Sequence, residues 1–273
     1  MLFRSNADSS GSSSYPNLLD VDNYIDYMLI NYYIGNKDWD KNNWAVGRNR
    51  VRNNEGFRFF CWDAETSMVA LTDNLIITGT SGNPAAFMQY LKKNSEFKVK
   101  IADRIKQLML DPGGALTPAE IARRYDALAD EIELAMISES ARWSDWYTPY
   151  TPYTLNDHWL PRKNDLMTNY FPQRTDVLLS QLKAAALYPS VDAPVFSHAG
   201  GTYSEALNLQ ISGTGGSIYY TTDGSDPRVA VTGAVAGNSY SAALRLATNT
   251  TVKARVKSSS EWSALTEASY IFN

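Results

Sequence analysis

The chain has 273 residues, 44% hydrophobic and 20% charged, enough for one large or two ordinary domains with a sizeable core. Its net charge of −4 argues against a general nucleic-acid binder, which shows a basic face, and no apolar run approaches the roughly 18–20 residues of a transmembrane helix. A single cysteine, Cys61, excludes an intrachain disulfide, and two isolated histidines, His158 and His198, supply neither a zinc cluster nor a Ser-His-Asp site. Residues 1–19 read as a disordered polar tail without the apolar centre of a secretion signal. Val21, Ile25, Met28, Leu29, Tyr32 and Tyr33 then repeat at amphipathic-helix spacing, with Asp20 as N-cap and Gly35 as stop. This helix delivers the chain into an acidic loop, Asn36-Lys37-Asp38-Trp39-Asp40-Lys41-Asn42-Asn43.

Trp44–Val46 and Phe57–Trp62, flanking the polar stretch 52–56, predict a β-hairpin. At its end lies a second acidic stretch, Trp62-Asp63-Ala64-Glu65, and Cys61 beside it is expected to be a small buried apolar residue. Residues 64–83 read as irregular, closing in the turn-rich run Gly79–Pro84. Helices are expected over Ala85–Lys93 and Glu96–Leu110. Thr117-Pro118-Ala119-Glu120 predicts another helix start, with a capping box between Thr117 and Glu120, running through Ile132 and Met136. The aromatic stretch 143–160 reads as rings packed under a long loop, or else a carbohydrate or peptide platform, with His158 as a loop hydrogen-bonder. A last helix is expected over Gln173–Leu187.

After a Pro-containing linker at 189–193 the long apolar helices disappear. Short runs at Leu207–Ile211, Ser217–Thr221, Ala243–Leu246, Thr250–Val256 and Ser269–Phe272 predict an antiparallel, immunoglobulin-like β-sandwich over residues 194–273. The fold class is therefore α+β: a mainly helical first part over residues 20–188 with one hairpin, then an all-β module. Asp223 and Asp226, bracketing Gly224-Ser225 before Pro227, suit a rigid turn better than a calcium site.

Phosphoryl transfer needs a carboxylate to take the hydroxyl proton and hard oxygen ligands to hold Mg²⁺ on the nucleotide phosphates. Asp38 and Asn43 stand five residues apart, as do the base and a metal ligand in the catalytic loop of protein kinases, and Asp63 follows a hairpin as the principal metal-binding aspartate does there. Asp38 thus takes the role of base, and Asn43 and Asp63 those of metal ligands; Asp40, Asn42 and Glu65 are secondary candidates because each stretch holds more than one suitable group. On the residues alone, ordinary turn and cap chemistry accounts equally for an Asp/Asn loop.

Tyr32–Trp44 together with Arg58–Glu65 resembles the CotH kinase family, the spore-coat CotH-like atypical kinases, through its Asn-x-Asp-Trp-x-x-x-Asn core and its Trp-Asp-x-Glu block. The likeness continues through Phe97–Arg104, Gly113–Pro118 and Glu139–Trp143. It implies a kinase-like fold that phosphorylates Ser/Thr of a protein substrate with ATP and Mg²⁺ or Mn²⁺, in a secreted or surface-associated bacterial protein. Ile218–Arg228 and Thr250–Arg255 resemble the chitobiase/β-hexosaminidase carboxy-terminal module, which accompanies secreted enzymes and implies no catalytic residue. No Gly-rich strand-turn-strand with a phosphate-pairing lysine precedes the Asp20 helix, so the chain reads as the carboxy-terminal lobe of a longer kinase, with little or no activity alone. The alternative is a non-catalytic surface protein, cell-surface carbohydrate among its possible ligands, that keeps a kinase-like scaffold.

Overall fold

A computed structural model describes residues 18–49, 56–76, 83–147, 150–259 and 261–273. Residues 1–17 of the expected tail, the hairpin turn at 50–55 and most of the turn-rich run at 77–82 lie outside the described residues, whereas Leu19, at the end of the expected tail, is buried in the core and bridges to Phe57. The first helix, α1 (Val21–Ile34), starts where Asp20 accepts a hydrogen bond from the Asn23 amide at 3.1 Å and stops where Gly35 enters the left-handed region at φ 60°. Ten of its fourteen residues are buried, so α1 is not the one-sided helix its spacing suggests. It is apolar nearly all round and runs through the middle of the core.

The predicted hairpin forms from β1 (Trp44–Gly47) and β2 (Arg58–Cys61), antiparallel with Trp44 opposite Cys61. Phe59 turns inward and meets Tyr24 and Tyr27 of α1 at ring separations of 5.4 and 5.3 Å. Cys61 shares the inward face of β2 but is exposed, contrary to expectation, because the strand ends at the rim of the core.

Helices α2 (Pro84–Leu91) and α3 (Ser95–Ile105) follow, and a wider helical turn extends α3 to Leu110. The next helix, α4 (Pro118–Ile132), begins where Thr117-Pro118 predicts, but its capping box does not form. Thr117 Oγ1 donates instead to the Gly114 carbonyl at 2.8 Å, and Glu120 pairs with Arg123 at 2.9 Å. The helix breaks before Met136, and α5 (Ala135–Tyr147) takes over. Trp143, Trp146, Tyr150 and Tyr153 are exposed rather than packed under a loop, since this stretch forms an outer helix and its continuation. His158 does make a local hydrogen bond, its Nδ1 accepting from the Thr154 amide at 3.0 Å.

Helical structure then runs without a break from Leu155 to Ala184: a wide turn over Leu155–Trp159, α6 (Leu160–Asp165), a second wide turn over Leu166–Tyr170, and α7 (Phe171–Ala184). The expected onset at Gln173 is thus too late. Pro161 and Pro172 each fall in the first turn of an α-helical segment that directly follows a wide turn, and the helical run continues through both.

The carboxy-terminal part is strand-rich, in the order β3 (Val195–Phe196), β4 (Gly201–Tyr203), β5 (Leu207–Leu209), β6 (Ile211–Ser212), β7 (Ser217–Thr221), β8 (Asn238–Ser239), β9 (Leu244–Leu246), β10 (Thr250–Ser258), β11 (Glu261–Trp262) and β12 (Thr266–Phe272). One sheet runs β4-β12-β10-β7-β8, with β11 paired to β10; the short pairs β3-β6 and β5-β9 contribute to a second core that joins Leu207, Leu209, Ile211 and Leu246 to Val252, Ala254 and Tyr270. The module is not wholly antiparallel, because β4 pairs parallel with β12. The expected strand over Leu207–Ile211 divides at Gln210, and its halves pair with different partners. Asp223 accepts from the Ser225 amide at 2.9 Å and Asp226 from the Arg228 amide at 2.9 Å, the turn roles expected of them.

Alternation along β10 sends Val252 and Ala254 into the module's core, with Val256 buried further along the same face, and Arg255 out of its other face, toward α3. Arg255 is 1% exposed. Its two terminal nitrogens bond Asp103 at 2.7 Å each, Nε and Nη2 bond Asp226 at 2.9 and 2.6 Å, and Nη1 also meets the Ser263 carbonyl at 2.9 Å. Nearby, Arg228 grips Glu96 of α3 through both terminal nitrogens, one at 3.0 Å.

These pairs make docking acid-sensitive. Burial alone would raise the Asp226 carboxyl, but hydrogen bonds and charge from Arg255 outweigh it and hold the group below the usual carboxylate range. The hydrogen bond from Arg228 does the same for Glu96. A depressed carboxylate contributes stability that is present above its unfolded pKa, about 3.9 for Asp and 4.3 for Glu, and lost as pH falls through its folded value. Urea midpoints are therefore expected to drop on acidification from pH 6 to below about 4, and less steeply for Glu96→Gln. Parallel curves for the two proteins would contradict this.

Candidate functional site

The acidic loop leaves α1 under tight control. Arg174, a fully buried side chain of α7, donates to the Tyr33 carbonyl at 2.7 Å and to Tyr32 as well, placing a cation on last-turn carbonyls of α1, and to the Leu71 carbonyl at 2.7 Å. Trp39 pins the loop from the other side, buried edge-on against Tyr27 and Tyr32 with ring separations of 5.8 and 6.0 Å.

Asp38 is half-buried on this loop. Its amide donates to Asn36 Oδ1 at 3.3 Å and its carbonyl accepts from the Asn43 amide at 3.4 Å. Its Oδ1 is buried and meets no hydrogen-bond donor among the described residues. Asn43 reaches across to the second acidic stretch, its Nδ2 donating to the Asp63 main-chain carbonyl at 3.2 Å. That single bond brings together two motifs twenty positions apart in the sequence.

Asp63 is exposed and sits at φ 51°, a left-handed conformation that a side chain other than glycine adopts at a cost. Its carboxyl is pushed above the usual range by a hydrogen bond with Glu65, by repulsion from Glu65 and, more weakly, by the charge of Asp38. Glu65 thus stands beside Asp63, and both face solvent. Asp40 does not join them: it is buried, and its Oδ1 accepts from the Ala85 amide at 2.9 Å, capping the first turn of α2. Asn42 is exposed, with its carbonyl accepting from the Trp44 amide at 3.1 Å.

Two residues that shape this site, Asn31 and Arg174, escaped the sequence reading, and Asn36, part of the quoted acidic loop, was given no role there. Polar side chains inside apolar stretches were the signal available, since a buried amide or guanidinium must find partners.

Among the described residues no group of three or more His, Cys, Asp and Glu is gathered to hold a metal. What the loop and the hairpin end offer is a small set of hard oxygens from Asp38, Asn43, Asp63 and Glu65. The unpartnered Oδ1 of Asp38 and the repulsion between Asp63 and Glu65 would both be relieved by a cation. Mg²⁺ takes one or two protein carboxylates and fills its remaining positions with water and substrate phosphate, so the donor set fits it.

A helical body with an acidic loop at a helix end, a hairpin and a further acid beyond it is the arrangement of a kinase-like protein. The model of the CotH kinase protein family matches residues 2–178, and the chain belongs to that family. A chitobiase/beta-hexosaminidase C-terminal domain matches residues 198–266. Comparison with curated proteins and with solved structures gave no match.

Proposed function

We propose that this chain carries the base-and-metal half of a site that moves the terminal phosphoryl group of ATP to a Ser or Thr hydroxyl of a protein substrate. The observation that carries this reading is the bond from the Asn43 amide to the Asp63 carbonyl, which sets the two acidic stretches side by side with Asp38 between them in the network. Asp38 accepts the hydroxyl proton; its side chain is half-buried, and its Oδ1 makes no hydrogen bond among the described residues. The Asp63 carboxylate and the Asn43 side-chain oxygen hold the metal, with Glu65 in reserve beside Asp63. Bound Mg²⁺ or Mn²⁺ would neutralise charge on the nucleotide phosphates.

The strands described in the helical part, β1 and β2, carry no lysine to pair with those phosphates. Accordingly, the chain alone is expected to transfer little phosphate while still binding the metal. Calorimetric titration with Mn²⁺ tests the site: Asp63→Ala should weaken binding at least tenfold, in line with loss of a principal ligand, and unchanged binding would remove Asp63 from the metal. Robust labelling of a protein substrate from ATP by this chain alone would overturn the half-site reading.

A further inference from the structure

Two side-chain amides, Asn31 and Asn36, are 0% and 1% exposed between the end of α1 and the acidic loop. Gly35 turns the chain back so that they meet, Asn36 Nδ2 donating to Asn31 Oδ1 at 3.1 Å. Each then reaches one of the two acidic stretches. Asn36 Oδ1 accepts from the Asp38 amide at 3.3 Å, while Asn31 Nδ2 donates to the Tyr27 carbonyl at 2.8 Å and to Cys61 Sγ at 3.4 Å. Cys61 closes β2 two residues before Asp63. With the bonds from Asn43 to Asp38 and Asp63, the contacts close a ring: Asn31, Asn36, Asp38, Asn43, Asp63, the short run of chain to Cys61, and Asn31 again.

Buried amides carry strongly directional demands, and Asn31 and Asn36, each bonded through both its nitrogen and its oxygen, favour one geometry. The ordinary alternative is that the pair only finishes the end of α1. That role would account for the bond to Tyr27, but not for the links to Asp38 and Cys61, which lie beyond the helix on separate segments. We propose that Asn31 and Asn36 are positioning residues that lock the proton-accepting loop in register with the metal-binding end of the hairpin. This rests on the half-site reading above.

The test is calorimetric Mn²⁺ titration alongside thermal unfolding, on the whole chain and on Asn36→Ala, Asn36→Asp, Asn31→Asp and Asp63→Ala. Groups that orient metal ligands without touching the metal are worth roughly 10–100-fold in affinity. Folded Asn36→Ala should bind Mn²⁺ about tenfold more weakly, and Asn36→Asp, which keeps an oxygen for the Asp38 amide but loses the donor to Asn31, should not restore wild-type affinity. Asn31→Asp keeps the oxygen facing Asn36 but gives up both donors, so it should also weaken binding, and it decides the matter if Asn36→Ala does not fold. A lowered melting temperature with wild-type Mn²⁺ affinity in the Asn variants, while Asp63→Ala loses binding, would overturn the positioning role and leave the half-site standing. Wild-type affinity in Asp63→Ala would fell the half-site, and the positioning role with it.

Discussion

Replacing Arg255 with alanine is expected to lower stability by roughly 3–5 kcal/mol, the usual consequence of removing one partner from a buried ion pair. The guanidinium is buried and answers two carboxylates and a carbonyl, so its loss leaves Asp103 and Asp226 facing each other half-buried, with nothing between them. Asp103 would keep its bond from the Leu265 amide at 2.8 Å, and Asp226 its bond from the Arg228 amide, so the turn and the loop should survive. What should fail is the seating of the module on α3. Urea denaturation measures the loss, and calorimetry should show one transition resolving into two. A drop under about 1 kcal/mol would mean that the carboxylates are rehydrated freely, as at an exposed pair.

Arg174→Met is the other change with a large expected effect, about 3 kcal/mol or more. The methionine fills much of the same space but leaves the carbonyls of Tyr32 and Leu71 unanswered, the Tyr33 carbonyl keeping the Tyr170 hydroxyl at 2.8 Å, and each unpaired buried carbonyl costs about 1–3 kcal/mol. Burial already works against the charge of Arg174, lowering its pKa, so the side chain stays because its forked donors reach three acceptors at once. Arg174→Lys should recover only part of the loss, since an ammonium lacks that planar fork. Urea midpoints for the three proteins give the ranking, and equal midpoints for the methionine and lysine variants would contradict it.

The helix starts and stops written in local chemistry were legible in the sequence. Asp20 and Gly35 bound α1 as their side-chain and backbone preferences require, and the expected hairpin forms, with Trp44 opposite Cys61. Features that depend on distant partners were not. Asp40 reads like a site carboxylate until Ala85, 45 positions later, supplies the amide that it caps. Thr117 and Glu120 have the spacing of a capping box, but the Gly114 carbonyl and Arg123 compete successfully for them. The helical run from Leu155 was missed, since the wide turns that carry it into Pro161 and Pro172 leave no mark in the sequence pattern. Within the site, spacing suggested Asp38, Asn43 and Asp63, whereas the amide pair linking them joins residues on three separate segments.

The two arginines of the carboxy-terminal module meet Glu96 and Asp103, which are seven residues apart on α3. Seven residues are close to two full helical turns, so both acids project from the same side of the helix. The module therefore fits α3 as a two-pronged key fits a lock. Sliding by one turn strands both prongs, and one residue inserted between the acids rotates one of them about 100° around the helix from its present line, so that both prongs cannot engage. The length of α3 between positions 96 and 103 is thereby fixed by a module that begins some ninety residues later.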